Sequence, residues 1–584
     1  MKFKNTKMFY SLFIAVILIC LFSLMPAGQD FILMLAESAL GRSLAKPEKW
    51  IRLIKHCAIF FITFSSIIIV SIRAKLFYFL KDGESTCTKT KLTKLEIVYF
   101  FLASALILTL CSTTSPIYAF HAWDDSNCFF TVGKSVLHGK TIYKDIYEQK
   151  GPLLYFMHTA AYLISRDSFL GIWIFQIVSA TTFLIFSYKS ISLFVSREVR
   201  ENLKFYLPII LAIIFSSTCF VVGDSVEEFS MALTMYPLFV SLKNLKTKTE
   251  FKNKELFFSG VCAGCVFWMK FSLVGFFIGW AIVPIWFYLK QRNFRGIFKA
   301  VGLVWGGVAA VSLPILIYFF VNDAIADLFQ VYFFDNIFLY AVSENRNPVL
   351  RSIIFCFKGF ESAYTSNLFI FILLVISVVA ILKSKILSFI KIHIFVCYFF
   401  SLFFIFCGGQ RHAYYSLALS VFCMFSILLF PLLKLRRMTK GKQELLRIFL
   451  SAIFVAFVIF YISPNISLLR LKKSDYPQFQ FAKVINEKEN ATLLNYGFLD
   501  GGFYTVAKIV PNCKYFTGLN IPNPRIMEEQ NRFVEEMLVD FVITRDQKLA
   551  SENYELVQSV RSGIRKSSGE YFLYQRKSSC DFEF

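Results

Sequence analysis

The stretch LEIVYFFLASALILTLCSTTSPIYAFHAWDD (95–125) decides how this chain is read. Its first part, 95–115, carries Glu96 as its one charged side chain and is otherwise apolar or small. A helix crossing the hydrocarbon core of a bilayer needs about 20 mostly apolar residues, and this segment supplies them. A polar, aromatic loop follows at once, and it opens on an acidic pair, Asp124 and Asp125. A membrane span that ends beside paired carboxylates sets the frame for the rest of the chain.

The same apolar pattern recurs in both directions. Thirteen candidate spans are expected, at 8–27, 52–72, 95–115, 168–188, 205–222, 228–242, 255–269, 273–289, 300–321, 367–383, 392–407, 414–433 and 447–463. The expected architecture is therefore a polytopic α-helical membrane protein. Composition agrees: 56% of the 584 residues are hydrophobic, 71 are Phe, and the mean hydropathy is +0.58. Only 17% are charged, against roughly a quarter in soluble domains. The first span follows Lys2, Lys4 and Lys7 as a signal peptide would, but a second apolar segment comes soon after, which favours a retained helix.

A net charge of +23 is high enough to suggest nucleic acid. The basic residues are instead clustered in short loops between spans, the pattern of cytoplasmic loops. Arg73, Lys75 and Lys81 follow one span, Lys189, Arg197 and Arg200 another, and Lys434, Arg436 and Arg437 a third. No nucleic-acid partner is implied; the lipid bilayer is. The bias places the N-terminus in the cytoplasm, and an odd number of spans places the C-terminus outside. The 14 Cys give no disulfide framework, and most lie in apolar runs as small hydrophobes. Cys513 and Cys580, in the polar tail, are the one candidate pair.

Three regions follow: an N-terminal extra hairpin (1–93), a helical catalytic region (94–463) with a first external loop at 116–167, and a tail (464–584). In the tail, ATLLNYG (491–497), DFVITR (540–545) and EYFLYQR (570–576) read as strands. PQFQFAKVINEKE and PRIMEEQNRFVEEML read as helices with Pro near their starts. This is a small extracytoplasmic α/β domain, and it holds neither a GxGxxG motif nor a P-loop.

The first external loop carries most of the chemistry. After Asp124-Asp125, the apolar residues Phe129, Val132 and Val136 recur at helical spacing, predicting an amphipathic helix along the outer interface that stops near Gly139. A polar stretch with Tyr143, Asp145, Tyr147 and Glu148 leads to Lys150-Gly151-Pro152, which opens another apolar helix. Pro suits the first helical turn, and the free N–H groups there attract anions, so Lys150 is a candidate phosphate ligand. A carboxylate can take a proton from an incoming hydroxyl while a cation stabilises a leaving phosphate. The bland alternative is that the acids solvate a loop end and Lys150 anchors the interface. Further candidates lie on other external turns: Glu227 and Glu228 in GDSVEEF, Lys270 between two spans, and Arg411 with His412 in CGGQRHAYY. Arg binds phosphate bidentately, which makes Arg411 a second anion ligand candidate. No zinc-site pattern occurs; the external acids are candidates for a divalent cation.

The sequence WDDSNCFFTVGKSVLHGKTIYKDIYEQKGPLLYF (123–156) resembles the first external loop of the GT-C superfamily of membrane glycosyltransferases, in particular bacterial enzymes related to protein O-mannosyltransferases and lipid A aminoarabinose transferases. The elements carrying the resemblance are Asp124-Asp125, Gly139, Tyr143-Lys144-Asp145 and Lys150-Gly151-Pro152-Leu153-Leu154-Tyr155. The resemblance implies a hexosyl or pentosyl transferase that moves a sugar, typically with inversion, from a polyprenyl-phosphate donor to an extracytoplasmic glycan, lipid or protein in a bacterial cell membrane. It implies Asp124 as general base or its partner, Lys150 on the donor phosphate with Tyr143 nearby, and Glu227 or Glu228 orienting a substrate. Arg411 as a phosphate ligand is inferred from its chemistry alone. The second acid is Asp where such loops usually carry Glu, which leaves open which acid does the chemistry. The competing reading is a transporter or flippase of polyprenyl-linked glycans, which favours broken spans and mid-membrane charges. A third is a non-enzymatic assembly or receptor protein, which needs no pairing of Lys150 with the acids.

Overall fold

The computed structural model describes residues 6–40, 92–195, 197–340, 348–429 and 440–577, together with 51, 54, 58, 77–78 and 432–433. The protein is mostly helical, with one small sheet near its C-terminus. Among the described residues six helices are long and apolar enough to cross a membrane, and eight if each of two bent helix pairs is one span. It is a multi-pass membrane protein by that measure. Apart from residues 54 and 58, the segment expected at 52–72 lies outside the described residues, and 8–27 becomes Thr6–Leu24 followed, after a 100° bend, by a second helix from Pro26. The segment at 414–433 is wound largely as a 3₁₀ helix, Ala413–Leu429.

Lys94–Cys111 is the span that leads into the first loop. Thr93 caps it, accepting from the Glu96 N–H while the Glu96 carboxylate accepts from the Thr93 N–H. Leu170–Ser192 and Arg197–Ser216 pack against it, and Val226–Thr247 packs on Leu170–Ser192. Asn253–Met269 lies against Phe294–Val321, close enough that a Cβ on Gly260 would fall 2.0 Å from the Val304 carbonyl oxygen.

The C-terminal sheet has four strands: β1 (Leu493–Asn495), β2 (Phe541–Arg545), β3 (Tyr554–Ser562) and β4 (Gly569–Arg576). Their spatial order is β1-β2-β4-β3, with β1 parallel to β2 and the other pairs antiparallel. Helices Pro477–Ile485 and Pro524–Glu535 each begin on Pro, as expected. Three strands fall where the sequence places them; β3 does not, because most of its side chains face solvent and leave no apolar alternation. Cys513 is buried, and Cys580 lies outside the described residues.

The first-loop helix forms at Asp124–Leu137, and Gly139 follows it with φ +83°. Its expected position along an open interface is corrected: every residue from Ser126 to Ser135 is buried. The apolar face packs on Pro152–Ile164, and the polar face is covered by the C-terminal domain. Thr131 donates to Asp500 at 2.8 Å, and Lys134 Nζ donates to the carbonyls of Tyr504 (2.9 Å) and Ile509 (2.5 Å). Burial holds Lys134 down at about 8, with Asp500 opposing the shift. Phe120 meets the rings of Tyr476 and Phe479 edge-on at 5.5 and 5.4 Å. At Gly502, φ is +96° and a Cβ would stand 2.4 Å from Phe120, so glycine permits both the turn and the close docking.

Candidate functional site

Where the C-terminal domain meets the first loop, a cavity of about 380 Å³ opens. Its membrane-side wall holds Asp124, Asp125, Glu148, Lys150 and Tyr414; its domain-side wall holds Asn520, Arg545 and Lys566. Of the first-loop residues singled out in the sequence, Asp124, Asp125, Glu148 and Lys150 therefore meet in one space, and the tail closes it.

Asp124 and Asp125 occupy the first turn of the Asp124–Leu137 helix, where the helix dipole favours the carboxylate form. At Asp124 burial outweighs that preference. It pushes the carboxyl up to about 7, with Arg545 lowering and Asp125 raising it. The Arg545 guanidinium stands 3.4 Å from Asp124 Oδ2 and lies over the Phe498 ring at 5.2 Å. Asp124 Oδ1 is buried and has no hydrogen-bond partner among the described residues. Asp125 Oδ2 accepts from Tyr414 Oη at 3.4 Å.

Lys150 is placed by its neighbours. Its backbone N–H donates to Glu148 Oε2 at 2.9 Å, and Tyr155 Oη donates to the same carboxylate oxygen. Its carbonyl accepts from Tyr143 Oη, whose ring stacks on Phe319 at 5.5 Å. Its ammonium lies 5.8 Å from the Phe129 ring centroid. Burial pulls the amine down, but the Glu148 and Asp125 carboxylates more than offset this, so Lys150 is held above the usual lysine range. Gly151 caps the Pro152–Ile164 helix, and a Cβ there would sit 2.0 Å from the Trp268 carbonyl oxygen. The Lys-Gly-Pro sequence thus fixes both the helix start and the close approach of the Asn253–Met269 helix.

Of the remaining sequence candidates only His412 reaches the cavity wall; Tyr143, Glu227, Glu228, Lys270 and Arg411 do not. Tyr143 is fully buried and reaches Lys150 only through its carbonyl. Glu227 pairs with Lys270 at 2.6 Å, and the Lys270 ammonium sits 3.6 Å from the Tyr415 ring centroid, behind Tyr414. Glu228 accepts from Gln176 at 2.9 Å and from the Asp224 N–H at 3.0 Å, and Ser225 caps its helix. Both acids serve a buried polar network rather than the cavity. Arg411 is exposed and does not line the cavity; its neighbour His412 does, accepting or donating at 3.1 Å with Tyr340 Oη. The cations that sequence reasoning missed are Arg545 and Lys566, which come from strands and turns hundreds of residues away. Glu148 was visible in the quoted loop, but nothing there distinguishes it from Asp145. Among the described residues no group of three or more His, Cys, Asp or Glu is arranged to hold a metal ion.

No family model and no curated protein matches this sequence. Among solved structures, the chain is similar to ArnT from Cupriavidus metallidurans in the apo state, at TM-score 0.49 and 10% identity over 82% of this chain and 97% of that one. It is also similar to the archaeal oligosaccharyltransferase AglB from Archaeoglobus fulgidus in complex with an inhibitory peptide and a dolichol-phosphate, at TM-score 0.40 and 12% identity over 77% and 69%. A third similar structure is the Archaeoglobus fulgidus oligosaccharyltransferase in complex with Zn and sulfate, at TM-score 0.38 and 13% identity over 76% and 68%.

Proposed function

We propose that this protein is a membrane glycosyltransferase that moves a sugar from a polyprenyl-phosphate-linked donor to an acceptor outside the cytoplasm. One observation carries the reading: Asp124, Asp125 and Lys150 line a single cavity, with Asp124 held near neutrality. A carboxylate that titrates near 7 is suited to take a proton at working pH. In the proposed step the acceptor hydroxyl gives its proton to Asp124 as its oxygen bonds to the sugar's anomeric carbon. The bond from that carbon to the phosphate oxygen breaks, and the electron pair leaves on the phosphate. Lys150 stabilises that charge. Attack from the face opposite the phosphate inverts the anomeric centre.

Asp125 contributes a second negative charge that raises Asp124, and Tyr414 orients it. The loop charges support a cytoplasmic N-terminus and an extracytoplasmic cavity in a bacterial cell membrane. The test is sugar transfer in cells lacking the protein and complemented with variants. Asp124→Asn and Lys150→Ala are each expected to lower transfer by about a hundredfold or more at unchanged membrane abundance. Full activity in both variants rules out this use of the cavity.

A further inference from the structure

The turn between β3 and β4 has features that the chemistry above does not use. It is pinned to the membrane helices rather than left loose over the domain. Arg565 Nη1 donates to Asn465 Oδ1 at 2.8 Å, and Asn465 Nδ2 donates to the carbonyls of Cys111 (2.7 Å) and Val221 (3.0 Å). On the far side Gln478 Nε2 donates to Ser567 Oγ at 3.1 Å. Between these anchors, Lys566 has φ +69°, a left-handed conformation that a lysine seldom adopts.

The anchors aim Lys566 into the cavity that Lys150 lines from the membrane side. Among the described residues Lys566 has no hydrogen bond or ion pair. Arg545, the other domain-side cation, is already engaged by Asp124. Lys566 is exposed at the rim of a cavity that also holds Asp124 and Asp125, and no hydrogen bond of its own ties it there, which leaves its ammonium able to turn to a substrate anion. Desolvation, with Arg565 beside it, holds Lys566 below the usual lysine range, against the opposing pull of the Asp125 and Asp124 carboxylates.

We infer that Lys566 is a second anion-binding residue of this cavity, supplied by the C-terminal domain to a phosphate or carboxylate group of a substrate. This deepens the proposed function and rests on that reading for the anion's belonging to a substrate. The anion has two sources: the donor's leaving phosphate, held between Lys566 and Lys150, or an acid group on the acceptor.

Binding to the purified full-length protein in detergent tests this without turnover. The probes are undecaprenyl monophosphate and inorganic pyrophosphate, the latter added alone and to protein saturated with the former. Lys566→Ala is expected to weaken one of them about ten- to a hundredfold, the range for losing a charged contact. Lys566→Arg is expected to restore it. Weaker undecaprenyl monophosphate binding assigns the donor phosphate. Weaker pyrophosphate binding on the saturated protein assigns an acceptor acid group. Unchanged affinity for both probes in Lys566→Ala, with undecaprenyl monophosphate lost in Lys150→Ala, overturns this inference and leaves the proposed function standing. Unchanged affinity in both variants removes both.

Discussion

Replacing Arg545 by Met keeps an unbranched apolar stem over Phe498 and removes the charge beside Asp124. At their separation of 3.4 Å, two unit charges interact by about 1.2 kcal/mol in bulk water and about 5 kcal/mol at an effective dielectric near 20. Arg545 keeps 26% of its side chain exposed, and both groups face an open cavity, so the lower half of that range applies. That is roughly 1.5–3 kcal/mol, or about 1–2 pH units at 1.36 kcal/mol each. The sign is fixed by the base: the carboxylate is the active form, and losing a cation disfavours it. In the wild-type protein transfer should therefore rise with pH through about 7. In Arg545→Met the same rise should come about 1–2 pH units higher. At pH 7 the variant should be roughly 5- to 50-fold slower, and it should recover by about pH 9–10. Arg545→Lys should stay near the wild-type profile. The assay is sugar transfer by membranes across pH 5.5 to about 10. A profile that does not move, or a loss that high pH does not restore, refutes the assignment of Asp124 as the titrating base and Arg545 as its positioning residue.

Four further variants probe the same geometry. Because burial raises Asp124 to about 7, the folded protein holds a proton that the unfolded chain releases near the ordinary value of 3.8, so stability falls as pH climbs between those values. Asp124→Asn should therefore melt at a higher temperature than the wild type at pH 8, and the gap should close near pH 4. Lys150→Ala should lower transfer by about 10²–10³-fold at unchanged membrane abundance, the usual cost of losing one group that stabilises developing charge. Gly151→Ala drives a Cβ to within 2.0 Å of the Trp268 carbonyl oxygen; displacing Lys150 by even about 1 Å should cost about 10²-fold in the same assay. Thr131→Val strips the buried Asp500 of one donor, a loss of about 1–3 kcal/mol, and limited proteolysis should then release the C-terminal domain faster.

The first loop was legible because its chemistry is local. Asp124-Asp125, the helix that follows, the stop at Gly139 and the Lys150-Gly151-Pro152 start all lie within one short stretch, and each has a cause within a few residues. The same locality misled about the helix's surroundings. Phe129, Val132 and Val136 mark an apolar face, but the pattern of Asn127, Thr131 and Lys134 cannot tell water from a docked domain. All three are buried, and each is satisfied by a partner: Asn127 by the His121 and Trp123 carbonyls, Thr131 by Asp500, Lys134 by two carbonyls of the tail. Arg545 and Lys566 were illegible for the converse reason. Arg545 ends an ordinary strand and Lys566 sits in a polar turn, and only tertiary docking brings them to Asp124. Glu227 and Glu228 drew attention as acids beside a span, where an ionisable group is costly unless paired. Their cost is met by Lys270 and Gln176 in the buried network, so their conspicuousness in the sequence reports structure more than chemistry.

The central claim is that a lipid-linked sugar is consumed here. Mass spectrometry of the cell envelope, comparing cells with and without the protein, tests it most directly. The account predicts that one extracytoplasmic glycan, lipid or protein loses a single sugar, that the polyprenyl-phosphate form of that sugar accumulates, and that Asp124→Asn reproduces both changes. An intact lipid-linked glycan accumulating on the inner leaflet, with no sugar missing from any acceptor already outside, contradicts it and points to a flippase.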